Sequence, residues 1–129
     1  MVVATESLFE RVGGQPFFDR LVASFYTLVE QDDLLISMYP DRHDLTAARR
    51  HLALFLGQYW GGPPQYSVER GHPRLRLRHA PFAVTAAARD AWLTHMRDAL
   101  SDVGADLAED DRRELLDYLS MAAHQLRNR

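Results

Sequence analysis

Apolar residues recur along most of this chain at the three-and-four spacing of a helix that buries one face. After the Gly13-Gly14 break, Pro16 stands where a first helical turn accepts a residue lacking an N–H, and Phe18, Val22, Phe25, Tyr26 and Val29 follow on one side. Asp32 is positioned to cap a short next turn through Tyr39, which Pro40 stops. A second long pattern covers residues 45–60, with Leu45, Ala48, Leu52, Phe55, Leu56 and Tyr59 together and Gly61-Gly62-Pro63-Pro64 as its end. Residues 65–73 read as polar and irregular, with Gly71 and Pro73 as further breakers. Thr85 caps a third helix whose inner face carries Trp92, Met96, Ala99 and Val103. The last helix covers residues 108–127. Glu109, Asp110 and Asp111 at its start and Arg127 and Arg129 at its end complement the helix dipole, and Leu115, Leu119, Ala122 and Leu126 form its stripe.

One segment breaks the pattern. Arg74-Leu75-Arg76-Leu77-Arg78 alternates with period two, the signature of a half-buried strand, but no partner strand is in sight. A short helical turn or extended loop is the better expectation there. The prediction is an all-α domain of four principal helices, and periodicity by itself does not distinguish a plain bundle from a globin-like sandwich.

Composition narrows the chemistry. At 129 residues, 47% of them hydrophobic and 26% charged, the chain is expected to form one folded domain over residues 1–129. A net charge of -3 gives no general attraction to nucleic acid or to anionic membranes. Without cysteine there are no disulfides, thiolate metal sites or cysteine nucleophiles. Residues 1–10 lack the basic flank and apolar run of a secretory signal, and no stretch approaches the roughly 20 apolar residues of a membrane span, so a cytoplasmic location is expected. Every basic residue is arginine, which reads first as a compositional habit.

Six histidines are available, at 43, 51, 72, 79, 95 and 124, and none forms a His-Glu-x-x-His zinc pattern. No Ser/His/Asp or paired-carboxylate arrangement stands out. For each histidine an ordinary surface or hydrogen-bonded role is the plain alternative. His79 differs in context: it follows Leu75 and Leu77 and is cut off by Ala80-Pro81, so its ring ends a short turn with a rigid proline behind it. That suits a single axial ligand, as haem iron requires, although many helix ends share the spacing. Tyr26, Tyr39 and Trp92 fall on or beside apolar faces, where core packing is the plain alternative, yet together they are three donors able to meet a polar ligand. Arg74, Arg76 and Arg78 form a solvated face, or a fork for carboxylates, before they form a nucleic-acid contact.

Several blocks in combination are more specific. Phe9-Glu10-Arg11-Val12-Gly13-Gly14, Phe25-Tyr26, Met38-Tyr39-Pro40, Phe55-Leu56-Gly57-Gln58-Tyr59-Trp60-Gly61-Gly62-Pro63 and the run from Arg70-Gly71-His72-Pro73 through His79-Ala80-Pro81-Phe82 resemble the group II truncated haemoglobins, from about residue 8 into the last helix. The resemblance implies a shortened two-over-two helical sandwich around haem b (iron protoporphyrin IX). It implies His79 as the metal ligand, Tyr26, Tyr39 and Trp92 as ligand-stabilising distal residues, and Ala48 and Leu52 in the distal pocket. It further implies Phe55, Leu56, Leu75, Leu77, Phe82 and Met121 as haem walls. Two departures stand out. His51 replaces an arginine expected near a haem propionate, which puts that anchoring in doubt, and one additional residue lies between Tyr39 and Leu45.

The function so implied is reversible binding of dioxygen, carbon monoxide or nitric oxide, with tight, slow release of dioxygen. The alternative is a haem enzyme performing nitric oxide dioxygenation or peroxide reduction, with Tyr26 or Trp92 as relay and a reductase as partner. Homo-oligomers are left open, and a helical interaction module without haem is the remaining class.

Overall fold

The computed structural model describes residues 6–129, which form eight helices and no strand among the described residues. The reading of residues 1–5 as free of a targeting signal lies outside them. Four helices are long: α2 (Gln15–Val29), α4 (Thr46–Tyr59), α7 (Ala86–Val103) and α8 (Glu109–Leu126). Four are short: α1 (Leu8–Arg11), α3 (Asp33–Ile36), α5 (Gln65–Arg70) and α6 (Leu75–His79). The four long helices are those expected from the periodicity, and the caps expected at Asp32, for the short α3, and at Thr85, for α7, are in place. Asp32 Oδ1 accepts from the amides of Leu34 and Leu35 at 3.0 and 3.3 Å, and Thr85 Oγ1 accepts from Ala88 N at 3.1 Å.

α2 is the central element. It packs on α4 and on α7, and α7 in turn packs on α8. Phe17, Phe18, Leu21, Phe25 and Val29 of α2 are buried against Leu56, Met96, Leu100, Leu115 and Leu119 from the other three long helices. Each such side chain contributes about 1.5–3 kcal/mol by leaving water. At one corner Phe18 lies between two near-parallel rings, Phe9 and Trp60, with centroids 5.9 Å away on each side. This ring stack fixes α1 and the end of α4 to α2.

Two glycines let the chain turn at that corner. Gly14, at φ 77° and ψ -160°, precedes α2 in a conformation that a side chain would strain. Gly62 is required for closeness: a Cβ there would lie 2.5 Å from the Phe9 ring and 2.7 Å from the carbonyl of Gly57.

α4 and α8 meet at one end, where Tyr59 and Tyr118 stack with centroids 3.9 Å apart. Beyond that stack they separate around a cavity.

Two expectations need correction. Residues 65–73 are not wholly irregular, since residues 65–70 form α5. Gln58 organises it from α4, accepting from Ser67 N at 3.0 Å and donating to Ser67 Oγ at 2.7 Å, while Arg50 pairs with Glu69. These long-range bonds override a weak local pattern. The short helical turn expected at the period-two stretch is α6, but Leu75 and Leu77, both expected as walls of one site, cannot share a face, because residues two apart lie on opposite sides of a helix.

Candidate functional site

The space between α4 and α8 is a cavity of about 250 Å³, too large for a packing defect. Leu52, Phe55 and Leu56 wall it from α4, and Leu119, Ala122, Ala123 and Leu126 from α8. Leu75, His79 and Phe82 come from α6 and the loop after it, and Trp92 and Arg89 from α7. Tyr26 of α2 and Tyr39, after α3, complete the wall.

One imidazole enters this apolar space. Nδ1 of His79 lies 2.7 Å from the carbonyl oxygen of Leu75, one turn earlier in α6. A carbonyl only accepts, so Nδ1 carries the proton, and in the neutral ring Nε2 keeps its lone pair. The loop before α6 is held by Arg78, whose Nε donates to Pro73 O at 2.7 Å and whose Nη2 donates to Arg70 O at 3.0 Å. Arg78 therefore serves the backbone. Arg74 caps α6 in the left-handed region at φ 45°.

Three polar tips share the cavity. Phe25 makes edge contacts with both Tyr26 and Trp92, at centroid distances of 5.0 and 5.4 Å, so one buried ring braces two donors. Tyr26 meets Tyr39 edge-on. Burial first, and then the neighbouring Tyr39 hydroxyl, push the Tyr26 phenol far above its ordinary value; burial also raises Tyr39. Both hydroxyls therefore keep their protons at neutral pH and remain able to donate.

The cavity brings together Tyr26, Tyr39, Leu52, Phe55, Leu56, Leu75, His79, Phe82 and Trp92. Three of the expected residues stand outside it. Leu77 is 65% exposed on the far side of α6, and Met121 is 46% exposed, off the stripe formed by Leu119, Ala122, Ala123 and Leu126. Ala48 packs on the hydrophobic core, one turn before Leu52, without reaching the cavity.

His51 also lies off the cavity wall. Burial, with help from Arg70, Arg50 and Arg78 and against Glu69, lowers its affinity for a proton. The cation that does line the cavity is Arg89, which sequence reasoning passed over; its Nε donates to Asp90 Oδ1 at 3.0 Å. Tyr118 was missed too, because its role depends on Tyr59, far away in sequence. Among the described residues, no cluster of three histidine or acidic side chains could hold a bare metal ion, so the donor set is one imidazole in an apolar slot. Nor is any described helix long and apolar enough to cross a membrane.

The sequence matches the bacterial-like globin family over residues 7–127. It is 42% identical over 115 residues to the group 2 truncated hemoglobin YjbI of Bacillus subtilis, covering 89% of this chain and 84% of that one. A thermostable hemoglobin from the actinobacterium Thermobifida fusca superposes with a TM-score of 0.91 at 47% identity, covering 95% of this chain and 98% of its own. A truncated oxygen-avid haemoglobin from Bacillus subtilis gives 0.87 at 40% identity, over 95% and 100%. Helix order, cavity and sequence agree: this chain belongs to the bacterial-like globins and, among them, to the group II truncated haemoglobins, a family of haem-based ligand binders.

Proposed function

We propose that this chain reversibly binds dioxygen and other diatomic gases at haem b, with Nε2 of His79 as the iron's protein ligand. The observation that carries the reading is the 2.7 Å bond from His79 Nδ1 to Leu75 O, which leaves Nε2 as a pre-set donor in a cavity with no second imidazole. The cavity's chemistry fits the group: apolar walls for a macrocycle, one imidazole nitrogen to hold its metal, and hydroxyl and indole donors on other elements.

Haem, when bound, would supply an iron centre able to take a diatomic gas, and His79 would hold it. The protein's part is orientation and polarity. Leu75 O fixes the tautomer and ring plane of His79. Trp92 donates through its indole N–H, and Tyr26 and Tyr39 through hydroxyls kept protonated by burial. Donors of this kind favour a partly negative gas such as dioxygen over apolar carbon monoxide. Phe55, Leu56 and Leu119 exclude water from the same space.

Slow dioxygen release is the expected consequence, in keeping with the oxygen-avid Bacillus subtilis relative. Loading the purified protein with haem and following dioxygen and carbon monoxide exchange by stopped-flow absorbance tests the proposal. Reversible, saturable binding of both gases supports it, whereas haem that takes up neither gas contradicts it.

A further inference from the structure

α6 carries the cavity's imidazole but has no fully buried residue, so core packing does not fix its place. Polar ties must do so. Arg78 secures the chain before it. Behind it stands Asn128, beyond the end of α8. Asn128 Nδ2 donates to His79 O at 3.3 Å and to Phe82 O at 3.0 Å, and Asn128 Oδ1 accepts from Val84 N at 3.0 Å. The amide of Asn128 also donates to Val84 O at 3.0 Å.

An asparagine just past a helix ordinarily closes that helix, turning into the left-handed region or bonding its last carbonyls. Here every side-chain bond instead reaches residues 44–49 positions away, across to the segment following His79. One primary amide thus meets two carbonyls and one N–H of a single short loop, a match that uses both ends of the group. His79 is held at two points, its ring by Leu75 O and its own carbonyl by Asn128 and Phe82 N.

We infer that Asn128 is a positioning residue for the axial imidazole, tethering the loop behind His79 to the end of α8 and so setting how α6 presents the ring. This rests on the reading of His79 as the iron ligand. Asn128 does not itself line the cavity; it acts through His79.

Two variants separate positioning from general stability. Asn128→Ala removes all three side-chain bonds. Asn128→Asp keeps an acceptor for Val84 N but faces two carbonyls with no donor. The measurements are the iron–histidine stretch of the ferrous haem-loaded protein by resonance Raman, the rate of haem transfer to excess apomyoglobin, and the apoprotein's thermal midpoint. Both variants are expected to shift or broaden the stretch and to lose haem about fivefold faster, as the forfeited exposed bonds, three in Asn128→Ala and two in Asn128→Asp, allow. Their thermal midpoints are expected to stay near that of the wild type. Wild-type bands and haem-loss rates in both variants would overturn the assignment. So would an Asn128→Asp protein that behaves like wild type, since the tie to Val84 would then carry the effect. A wild type that binds haem but lacks any iron–histidine band would overturn the underlying ligand assignment instead.

Discussion

Tyr26 and Tyr39 meet edge-on in the cavity wall with ring centroids 5.7 Å apart, and each hydroxyl alters the other's hold on its proton. Burial raises both phenols, and the neighbouring Tyr39 hydroxyl raises Tyr26 further. Both hydroxyls keep their protons at neutral pH in the wall of the cavity they line.

Three donors in one cavity wall make a graded test. On the proposed reading, Tyr26→Phe, Tyr39→Phe and Trp92→Phe each remove one donor available to a diatomic ligand. Charge-assisted bonds contribute about 1.5–3 kcal/mol each, so losing one is expected to speed dioxygen release by roughly tenfold or more, and losing two by a hundredfold or more. Stopped-flow displacement of dioxygen by carbon monoxide measures all of them; a double variant Tyr39→Phe/Trp92→Phe that releases dioxygen at the wild-type rate would remove this role from both residues.

Acid stability should report on Asp32. Its carboxylate caps α3 and accepts from His95 Nε2 at 2.7 Å, and the His95 bond, foremost, together with the amides of Leu35 and Leu34, holds its carboxyl below the usual range. A carboxyl lowered by folding stabilises the native state above its unfolded value, about 3.9, and that benefit fades as pH falls through the lower native value. Asp32→Ala is expected to cost about 1 kcal/mol at pH 7 through the lost cap. Asp32→Asn keeps a capping oxygen without the charge, so its deficit should be smaller and should close below about pH 4. Urea titrations across pH 3–7 read both, and a constant Asp32→Asn deficit would show that the charge contributes nothing.

The corner beside Phe9 gives a purely steric test. In Gly62→Ala the new methyl would fall inside the Phe9 ring and against the carbonyl of Gly57, so ring or backbone must move. Overpacking of this kind costs about 1–3 kcal/mol. A drop of several degrees in the thermal midpoint is expected, with little change in ligand exchange because the corner lies away from the cavity wall. An unchanged midpoint would mean that the corner yields freely.

The limits of the sequence reading follow the range of the forces involved. The caps at Asp32 and Thr85 and the stop at residues 61–64 act within a few residues, and the long helices follow from them. α5 escaped because Gln58 and Arg50, on another helix, organise it. At residues 74–78, alternation of arginine and leucine reads as a strand, but in a helix it places Leu75 in the cavity and Leu77 in solvent. The periodicity of α8 put Ala122 on the stripe, where it lines the cavity, whereas Met121, implied by the resemblance alone, is exposed one residue away. Arg89 looks like any charged residue in the first turn of a helix. Asn128 looks like a frayed end, and its bonds 44–49 residues away leave no local trace.

The most direct test is the ferrous absorbance and resonance Raman spectrum of the haem-loaded protein beside His79→Ala, with and without added imidazole. The account predicts an iron–histidine band in the wild type, its loss in the variant, and partial recovery when free imidazole fills the vacated position. The same band at undiminished strength in His79→Ala would mean that another residue holds the iron, and the central assignment would be wrong.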